Sequence, residues 1–298
     1  EAATKSPFDP ATAVNWSAGG TEWTVDTSVT HDGVNSVKAQ TTDGQSTYRD
    51  YTVTGPAVVD FWWKVSSEEL YDTFSWSVNG VNQQTISGEV GWTYRTLTLP
   101  EGTHTIRWTY TKDGSDSVSQ DAGWLDDLAI YPATATLQVR DGATVLNGEV
   151  TVDFGSADQG SAGLTKSLTF LNQGYVPIEA HLSLPQGSPF TFDSGAATFG
   201  LLIGRGESVD VPILLSGTSA GNKSGQLTIS APESATAPPS ITLTGYVRGP
   251  EIGMAQGTTA LTSGQTFDMG LAPRTVEFTI RNNGNVGDLV IAGISATG

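Results

Sequence analysis

The stretch VVDFWWKV at residues 58–65 is apolar and aromatic over almost its whole length, which is typical of a strand buried in a β-sheet. Similar short runs lie nearby, and Gly, Asn, Asp and Pro residues separate them. These runs are TEWTV (21–25), FSWSVNG (74–80), YRTLTLP (94–100) and HTIRWTYT (104–111). No amphipathic helical stretch of useful length occurs in the chain. The sequence therefore predicts an all-β fold, with a jelly-roll-like β-sandwich over residues 1–132.

The composition changes sharply near residue 133. All eight tryptophans precede this point, which predicts a domain boundary. The charge divides there as well: residues 1–132 carry 18 acids and 7 bases, a net charge of −11, and the remainder carries 13 acids and 7 bases, a net charge of −6. The first predicted domain is therefore the more acidic and by far the more aromatic.

Residues beyond the boundary contain an internal repeat. Four residues recur 115 positions later: Gly142, Leu146, Asp153 and Gly155 return as Gly257, Leu261, Asp268 and Gly270. The segment SLTFLNQGYV (167–176) then recurs 110 positions later as EFTIRNNGNV (277–286). This pattern predicts one complete β-sandwich repeat at 133–248 and the first half of a second at 249–298. Half a sandwich exposes an apolar face, so we expect further domains of the same chain or a neighbouring subunit to complete it.

Composition also restricts the function. Thirty-one acids against fourteen bases give a net charge of −17, and no run of Lys or Arg is present, so we expect no nucleic-acid partner and favour divalent cations. The chain has no cysteine, which excludes disulfides and thiolate metal sites. No stretch approaches the ~18 apolar residues that span a bilayer, so we expect no direct membrane insertion. Abundant Gly, Thr and Ser with few Lys favour an extracellular or cell-surface location.

Residues 149–247 contain the blocks EVTVDFGSADQGSAGLTKSLTFLNQGYVPIEAHL, GRGESVDVPILL, SGQLTIS and SITLTGYV. In these blocks the chain resembles the choice-of-anchor D repeats of bacterial surface proteins, which are immunoglobulin-like β-sandwiches. The resemblance covers the whole second predicted domain and the visible half of the third. It implies immunoglobulin-like modules that act as stalks or spacers, and it brings no catalytic residues.

Residues 8–131 contain the blocks THDGVNSVKA, FWWKVSSEELYDTFSWSVNG, SGEVGW, GTHTIRWTYTKDGS and DAGWLDD. In these the chain resembles the tryptophan-rich jelly-roll domains of bacterial exoproteins, which are related to cleaved-adhesin, MAM and concanavalin-like sandwiches. The resemblance implies adhesion or carbohydrate recognition. It also implies structural calcium in many members, at a site that joins the first and last strands.

Two adjacent aspartates stand within the predicted strand WLDDLAIY (124–131). Regular alternation places Asp126 on the same face as Leu128 and Asp127 on the other, so one of the two carboxylates must point toward the core. The face of Asp126 is the more apolar, which predicts that Asp126 is the buried one. A buried carboxylate requires hydrogen bonds or a cation to compensate its charge.

Calcium favours carboxylates mixed with carbonyl oxygens, which a closing strand and a neighbouring N-terminal segment supply. Since the resemblance implies a site between the first and last strands, Asp9 becomes the natural partner, and we expect a structural calcium site formed by Asp9, Asp126 and Asp127. The alternative is a carboxylate that is hydrogen-bonded to water and holds no metal. Asp113, Asp116 and Asp121 do not fit an EF-hand pattern, so a polar turn is favoured there over a second calcium site. Glu68 and Asp72 leave the same two alternatives open.

The tryptophans allow a carbohydrate-binding interpretation, because sugar rings stack on exposed indole faces. The alternative is that alternating aromatics such as Trp76 and Trp108 form the core. Adjacent residues of a strand cannot both face inward, so one tryptophan of the pair at 62–63 is expected on the outer face. The predicted ligand-binding residues are Trp63, Trp23 and Trp92.

Patterns for catalysis are weak. GTSAG at 217–221 matches a nucleophile elbow, but that motif requires a strand-to-helix turn and here links two predicted strands. The three histidines, His31, His104 and His181, have no metal-binding spacing. The sequence thus predicts a non-catalytic adhesion and spacer segment of a larger surface protein, whose partner is a glycan or a surface protein. Two alternatives are a structural subunit assembled by strand pairing and an accessory region of a secreted hydrolase.

Overall fold

The computed structural model describes residues 4–5, 16–115, 118–193, 195–266, 270–271, 274–284 and 287–295. These residues form strands and turns, with no helix among them, so none forms a helix long and apolar enough to cross a membrane. The predicted all-β, sandwich-type fold is confirmed. The chain divides into two compact units: a first unit of residues up to Ala135 with Gly174–Val176, and a second of Thr136–Gln173 with the residues from Pro177 onward.

The described part of the first unit contains nine strands. They are β1 (Thr4–Lys5), β2 (Trp16–Gly19), β3 (Thr24–Asp26), β4 (Ser36–Ala39), β5 (Ser46–Ser66), β6 (Thr73–Val78), β7 (Val81–Ser87), β8 (Glu89–Thr111) and β9 (Ala122–Pro132). They hydrogen-bond in the order β3-β4-β9-β5-β8-β6-β7, with β1 on β9 and β2 on β5. All these pairs are antiparallel.

The two longest strands, β5 and β8, contribute to both layers of the first sandwich. They pair along nearly their whole length, with a register shift between Gly55 and Ala57. A Cβ atom on Gly55 would overlap the carbonyl oxygen of Pro100, which explains the glycine at this close approach. Before the shift β5 pairs with β2, and after it β5 pairs with β9.

The core of the first unit lies between these layers and is mainly aromatic. Phe61, from the part of β5 after the shift, contacts Trp76 of β6 and Trp108 of β8, with ring centroids 5.3 and 5.2 Å apart. Both pairs are near-perpendicular, a favourable arrangement for aromatic rings. Trp63 and Phe74 lie in the same core, 5.6 Å apart.

The second unit begins with a sandwich of ten strands. They are β10 (Leu137–Asp141), β11 (Thr144–Leu146), β12 (Glu149–Asp158), β13 (Leu164–Asn172), β14 (Ile178–Ser183), β15 (Phe190–Phe192), β16 (Thr198–Ile203), β17 (Ser208–Leu215), β18 (Gly221–Ser230) and β19 (Ser240–Arg248). One sheet has the order β11-β10-β13-β17-β15 and the other β12-β19-β18-β14-β16. Phe154 and Phe190 join the two sheets through rings 5.0 Å apart. The assignment of these ten strands to an immunoglobulin-like domain stays a prediction.

Three further strands form a small separate sheet in the order β21-β20-β22. They are β20 (Ile252–Gln256), β21 (Thr259–Leu261) and β22 (Thr279–Asn282). Both pairings are antiparallel. Several apolar side chains in this part of the chain are exposed, among them Ile252 at 64% and Leu271 at 95%.

Candidate functional site

Strand β9 is irregular at its two adjacent aspartates. Its register with β5 shifts between the pairs Trp62–Asp126 and Asp60–Ala129, so β9 has one residue more than β5 in this interval. Asp127 takes up the extra length with a φ of 49°, in the left-handed region. This combination is a β-bulge, which redirects the side chains that follow it.

The bulge breaks the alternation that the sequence predicted. Leu125 and Leu128, three positions apart, both lie in the core, whereas regular alternation puts them on opposite faces. Asp126 pairs with Trp62 and lies on the outer face of the sheet. The prediction that Asp126 points toward the core with Leu128 is therefore wrong.

Asp126 is nevertheless buried, with 2% of its surface exposed. The loop 27–35 between β3 and β4 covers it, and the His31 backbone N–H donates to Oδ2 at 2.7 Å. The Asp127 N–H donates to Oδ1 at 2.6 Å. Burial raises the pKa of Asp126, and the nearby carboxylates of Asp32 and Asp127 raise it further, against the lowering effect of the two N–H donors.

Three carboxylates converge at this point of the outer face. Asp32, Asp126 and Asp127 each place one oxygen atom within 4.8 Å of the others. Asp127 Oδ2 also lies within hydrogen-bond distance of His31 Nδ1, at 2.8 Å. The third residue of the predicted calcium site, Asp9, lies outside the described residues. Asp32 is absent from the predicted site residues, because nothing in its turn HDGVN distinguishes a ligand from a turn residue.

Aromatic rings lie beside the three carboxylates. Tyr94 of β8, Trp62 of β5 and Asp126 of β9 are direct cross-strand neighbours and form one row across three strands. The imidazole of His31 stacks on Trp62 with centroids 3.8 Å apart, and it lies 6.0 Å from the ring of Trp92. Tyr94 is 40% exposed and lies 5.5 Å from Trp62.

These seven residues are called the outer-face cluster below. They share one side of the β8-β5-β9 sheet and the loop that covers it, and they are His31, Asp32, Trp62, Trp92, Tyr94, Asp126 and Asp127.

Asp26 fixes the start of the covering loop. Its carboxylate accepts hydrogen bonds from the backbone N–H groups of Ser28 and Val29 and from the indole Nε1 of Trp124, at 2.8, 3.1 and 2.9 Å. Burial raises the pKa of Asp26, but these bonds, together with one from the Ser28 hydroxyl at 2.7 Å, outweigh burial and lower it to about 2. The carboxylate of Asp26 therefore anchors the start of the loop, and the carboxylate of Asp126 accepts a hydrogen bond from the middle of the loop at His31.

Two of the three tryptophans predicted to bind a ligand, Trp63 and Trp23, are buried in the structure, so this prediction is wrong for both. Trp63 is completely buried, because the core side of β5 passes through Phe61 and Trp63. Trp23 is 3% exposed and donates its indole N–H to Thr47 Oγ1 at 3.0 Å. Neither offers a ring face to a ligand. Trp62, not Trp63, is the outward member of the adjacent pair.

Trp92 is half-buried on the outer face, beside His31. Tyr94 follows Trp92 by two positions on the same strand and therefore shares its face, so the sequence around Trp92 could have identified Tyr94. No sequence signal identifies His31, because a loop brings it over Trp62 from a distant part of the chain.

A second group of acids lies around one buried lysine. The ammonium group of Lys112 is 3.0 Å from Asp43 Oδ1 and 3.7 Å from Asp72 Oδ2, and it is hydrogen-bonded to Asp121. Only 1% of the Lys112 side chain is exposed. Burial lowers the pKa of Lys112, but its bonds with Asp121 and Asp43 raise it more. Tyr110 adds a hydrogen bond to Asp121 at 3.0 Å.

The adjoining acids form a turn around this lysine. Asp113 accepts a hydrogen bond from the Ser115 N–H at 2.9 Å, and its own N–H donates to Asp72 at 3.0 Å. Glu68, Asp72 and Asp113 place carboxylate oxygens within 4.8 Å of one another, and Asp116 lies outside the described residues. The lysine supplies the positive charge for Asp72 and Asp121, which favours the turn interpretation over a second calcium site.

The GTSAG motif and the three histidines do not come together in one site among the described residues. GTSAG links β17 and β18, with no helix after it, and Ser219 Oγ accepts a hydrogen bond from Lys223 Nζ at 2.9 Å. His104 interacts with the Pro100 carbonyl and Asn79, while His181 lies on β14 of the second unit.

No family model matches the chain, and no curated protein matches it significantly. Solved structures with some similarity include the secreted serine protease VesC from Vibrio cholerae, with 16% identity and a TM-score of 0.31 over 36% of this chain and 24% of that one. A second is the carbohydrate-binding module TmCBM61 in complex with β-1,4-galactotriose, with 15% identity and a TM-score of 0.29 over 39% of this chain and 88% of the module. A third is the CupB6 tip adhesin from Pseudomonas aeruginosa, with 11% identity and a TM-score of 0.29 over 78% of this chain and 99% of the adhesin.

These neighbours are β-sandwich domains of carbohydrate-binding, adhesive and secreted proteins. The chain matches only about a quarter of the length of the protease. With TM-scores of 0.29 to 0.31, the similarities identify neither a family nor a ligand for this chain.

Proposed function

We propose that this chain is a non-catalytic recognition segment of a secreted or cell-surface protein, and that its first unit binds neutral glycans at the outer-face cluster. The observation that carries the proposal is the row Tyr94–Trp62–Asp126 across three neighbouring strands. It places aromatic rings beside carboxylate oxygens on the outer side of the sheet, where Tyr94 is 40% exposed and Asp126 lies beneath the 27–35 loop.

The chemistry of the row suits a sugar. The C–H face of a pyranose ring packs on aromatic rings, and its hydroxyl groups donate hydrogen bonds to carboxylates. Tyr94 is 40% exposed, and the side chain of Asp127 is 16% exposed, so both are accessible. The net charge of −11 over residues 1–132, from 18 acids and 7 bases, disfavours acidic sugars. Neutral, hydroxyl-rich glycans are therefore the expected ligand class.

Calcium binding by Asp32, Asp126 and Asp127 is part of the proposal. The three residues provide hard oxygen donors of the kind that calcium prefers, and Asp9 is the further ligand that the sequence predicts. Mutual repulsion contributes to the raised pKa of Asp126, and a divalent cation would relieve it. Bound calcium would supply a fixed positive charge that holds the 27–35 loop, and with it His31, against β9.

The second unit is proposed to act as a spacer that carries the recognition unit. Its two sheets bury a continuous apolar core, and the rigidity of such modules suits a stalk. The alternative functions make different predictions. A structural subunit would assemble through its strand edges and bind no glycan, and an accessory region of a hydrolase would bind the substrate of a catalytic domain.

A glycan array compares the wild-type protein with Tyr94→Ala and with the control Tyr246→Ala. Tyr246 lies on β19 of the second unit and is 38% exposed, so the two substitutions remove equally accessible rings. We expect the wild type and Tyr246→Ala to bind the same neutral glycans, and Tyr94→Ala to lose about tenfold in affinity, since one ring contact is worth roughly 1–1.5 kcal/mol. Binding that Tyr94→Ala leaves unchanged, or no binding at all, would contradict the proposal.

A further inference from the structure

A buried amine lies in direct contact with a carboxylate at one end of the first sandwich. Lys112 follows β8, and its ammonium group is hydrogen-bonded to Asp121, which precedes β9. Asp72, which precedes β6, lies 3.7 Å from the same ammonium group. The side chains of Lys112 and Asp72 are 1% and 0% exposed, and that of Asp121 is 13% exposed. Three strand ends therefore bring one primary amine and two carboxyl groups together, largely shielded from water.

The amine and the carboxylate that it contacts belong to different layers of the sandwich. Lys112 follows the part of β8 that pairs with β6 and with β5 before its register shift. Asp121 precedes β9, which pairs with β5 after that shift. The Lys112 N–H donates to the Gln45 carbonyl at 3.0 Å. Asp72 Oδ1 accepts a hydrogen bond from the Asp113 N–H at 3.0 Å. Because the fold holds the groups in contact, a reaction between them has an entropic advantage over the same reaction in solution.

We propose that Lys112 and Asp121 condense to form an amide cross-link between the two layers of the first sandwich. Lys112 Nζ bonds to Asp121 Cγ, the Cγ–Oδ2 bond breaks, and Oδ2 leaves as one molecule of water. The ammonium group supplies both hydrogens of that water and keeps its third hydrogen as the amide N–H. One positive and one negative charge disappear together, and no oxidant, reductant or further reactant is required.

Two neighbouring groups suit the steps of this condensation. The Tyr110 hydroxyl donates a hydrogen bond to Asp121 Oδ1 at 3.0 Å, so it stabilises the negative charge that forms on Oδ1 when Nζ adds to Cγ. Burial raises the pKa of Asp72, and the neighbouring carboxylate of Asp121 raises it further, against the Asp113 N–H and the Lys112 ammonium group. Asp72 is therefore suited to carry a proton from Nζ to the leaving oxygen.

The surroundings of Lys112 make the reaction slow and its product durable. Burial lowers the pKa of Lys112, but its bonds with Asp121 and Asp43 raise it more, so the amine forms only when a proton passes to a neighbouring carboxylate. The amide in turn removes two charges whose burial is costly, and shielding from water protects it from hydrolysis. Asp43 also lies 3.0 Å from the ammonium group, but its side chain is 53% exposed, so Asp121 is the better-shielded reaction partner.

Trypsin digestion followed by mass spectrometry tests the proposal on the full 298-residue chain, because trypsin does not cleave after a lysine whose Nζ is part of an amide. Lys112 is the one internal cleavage site of the segment 108–140. Without the cross-link, the denatured protein yields the separate peptides 108–112 and 113–140. With it, we expect both to remain in one peptide, lighter than the linear sequence by one molecule of water, and fragmentation should locate the missing water at Lys112 and Asp121.

Three variants distinguish this bond from other losses of water. Lys112→Arg keeps the positive charge but lacks the amine, so we expect cleavage after residue 112 and peptides of unchanged mass. Asp121→Ala removes the carboxyl group and should also abolish the cross-link. Asp43→Ala is the matched control, because it removes the other carboxylate beside the ammonium group and should leave the cross-linked peptide in place.

Three outcomes would overturn the inference. The first is complete cleavage after Lys112 in the wild type, with both peptides at unchanged mass. The second is a loss of water that persists in Lys112→Arg or Asp121→Ala, since it would arise elsewhere in the chain. The third is a cross-linked peptide that Asp43→Ala abolishes and Asp121→Ala retains, which would place the bond at Asp43.

Discussion

Trp62 and Trp63 are adjacent in the chain and lie in different environments. Trp63 faces the core, completely buried among Phe61 and Phe74, and it serves packing. Trp62 faces outward, where His31 stacks on it and Tyr94 lies beside it. In a β-sandwich the number of tryptophans therefore indicates little about binding, because the face of the sheet decides whether a ring is buried in the core or lies on the outer side.

The acids of the first unit differ in the same way. Asp72 and Asp121 lie beside the buried ammonium of Lys112, an internal positive charge that helps to lower the pKa of Asp121 and partly offsets the burial that raises the pKa of Asp72. Asp126 and Asp127 have backbone N–H groups and His31 as partners, and burial, with a smaller contribution from the carboxylates of Asp32 and Asp127, raises the pKa of Asp126. A cation from solution is therefore expected at the outer-face cluster and not around Lys112.

The largest expected effect separates the two faces of β5. Trp63→Ala should lower the free energy of unfolding of the first unit by about 3–5 kcal/mol, because it leaves a large cavity in the core. Trp62→Ala, on the outer face, should cost less than about 2 kcal/mol. Urea unfolding followed by tryptophan fluorescence measures both, since all eight tryptophans precede residue 133. Equal losses of unfolding free energy for the two variants would contradict the assignment of Trp63 to the core and Trp62 to the outer face.

Lys112→Met should cost about 3 kcal/mol, because it leaves the acids around a buried position without their positive charge. Arg107→Met is the matched control, since Arg107 is 43% exposed and pairs with Asp50 at 2.6 Å; it should cost about 1 kcal/mol. The same urea titration reports both variants. A loss for Lys112→Met no larger than that of the control would show that Lys112 does not hold this acid cluster together.

Calcium should stabilise the first unit by about 3 kcal/mol at a concentration one hundredfold above its Kd. Thermal melts with added calcium and with a chelator measure the shift, and Asp127→Asn should abolish it. Asp43→Asn, at the Lys112 cluster, should leave the shift intact. An unchanged melting temperature in the wild type, with no metal found by elemental analysis, would refute the calcium site.

Asp26→Asn should have the smallest effect, about 1 kcal/mol once solvent screening is allowed for. The folded-state pKa of Asp26, about 2, lies below the ordinary value of 3.8, so its ionised form stabilises the fold above pH 3.8. This contribution is lost as the pH falls through 2. The difference in unfolding free energy between the wild type and Asp26→Asn should therefore be present at pH 7 and shrink toward pH 2. A difference independent of pH would assign the effect to packing.

The sequence predicts the all-β fold because strand patterns and turn residues are local signals. VVDFWWKV shows this directly, and in the structure the pairing of β20 with β22 repeats that of β10 with β13 at the offsets of the sequence repeat. The orientation of Asp126 and of Trp63 was mispredicted. The bulge at Asp127 places Asp126 on the opposite face from Leu128. For Trp62 and Trp63, alternation shows only that one ring faces inward, and the packed core decides which of the two it is. His31 joins the site through a loop, and no local pattern encodes that contact.

We propose that the outer face of β5, β8 and β9 binds glycan. The most direct test of this proposal follows the eight indole N–H signals by nuclear magnetic resonance while the neutral oligosaccharide that binds best on the array is added. We expect the signals of Trp62 and Trp92 to shift with a common saturation curve, while those of Trp63 and Trp108 stay in place. Shifts confined to other tryptophans, or an absence of shifts at saturating glycan, would contradict it.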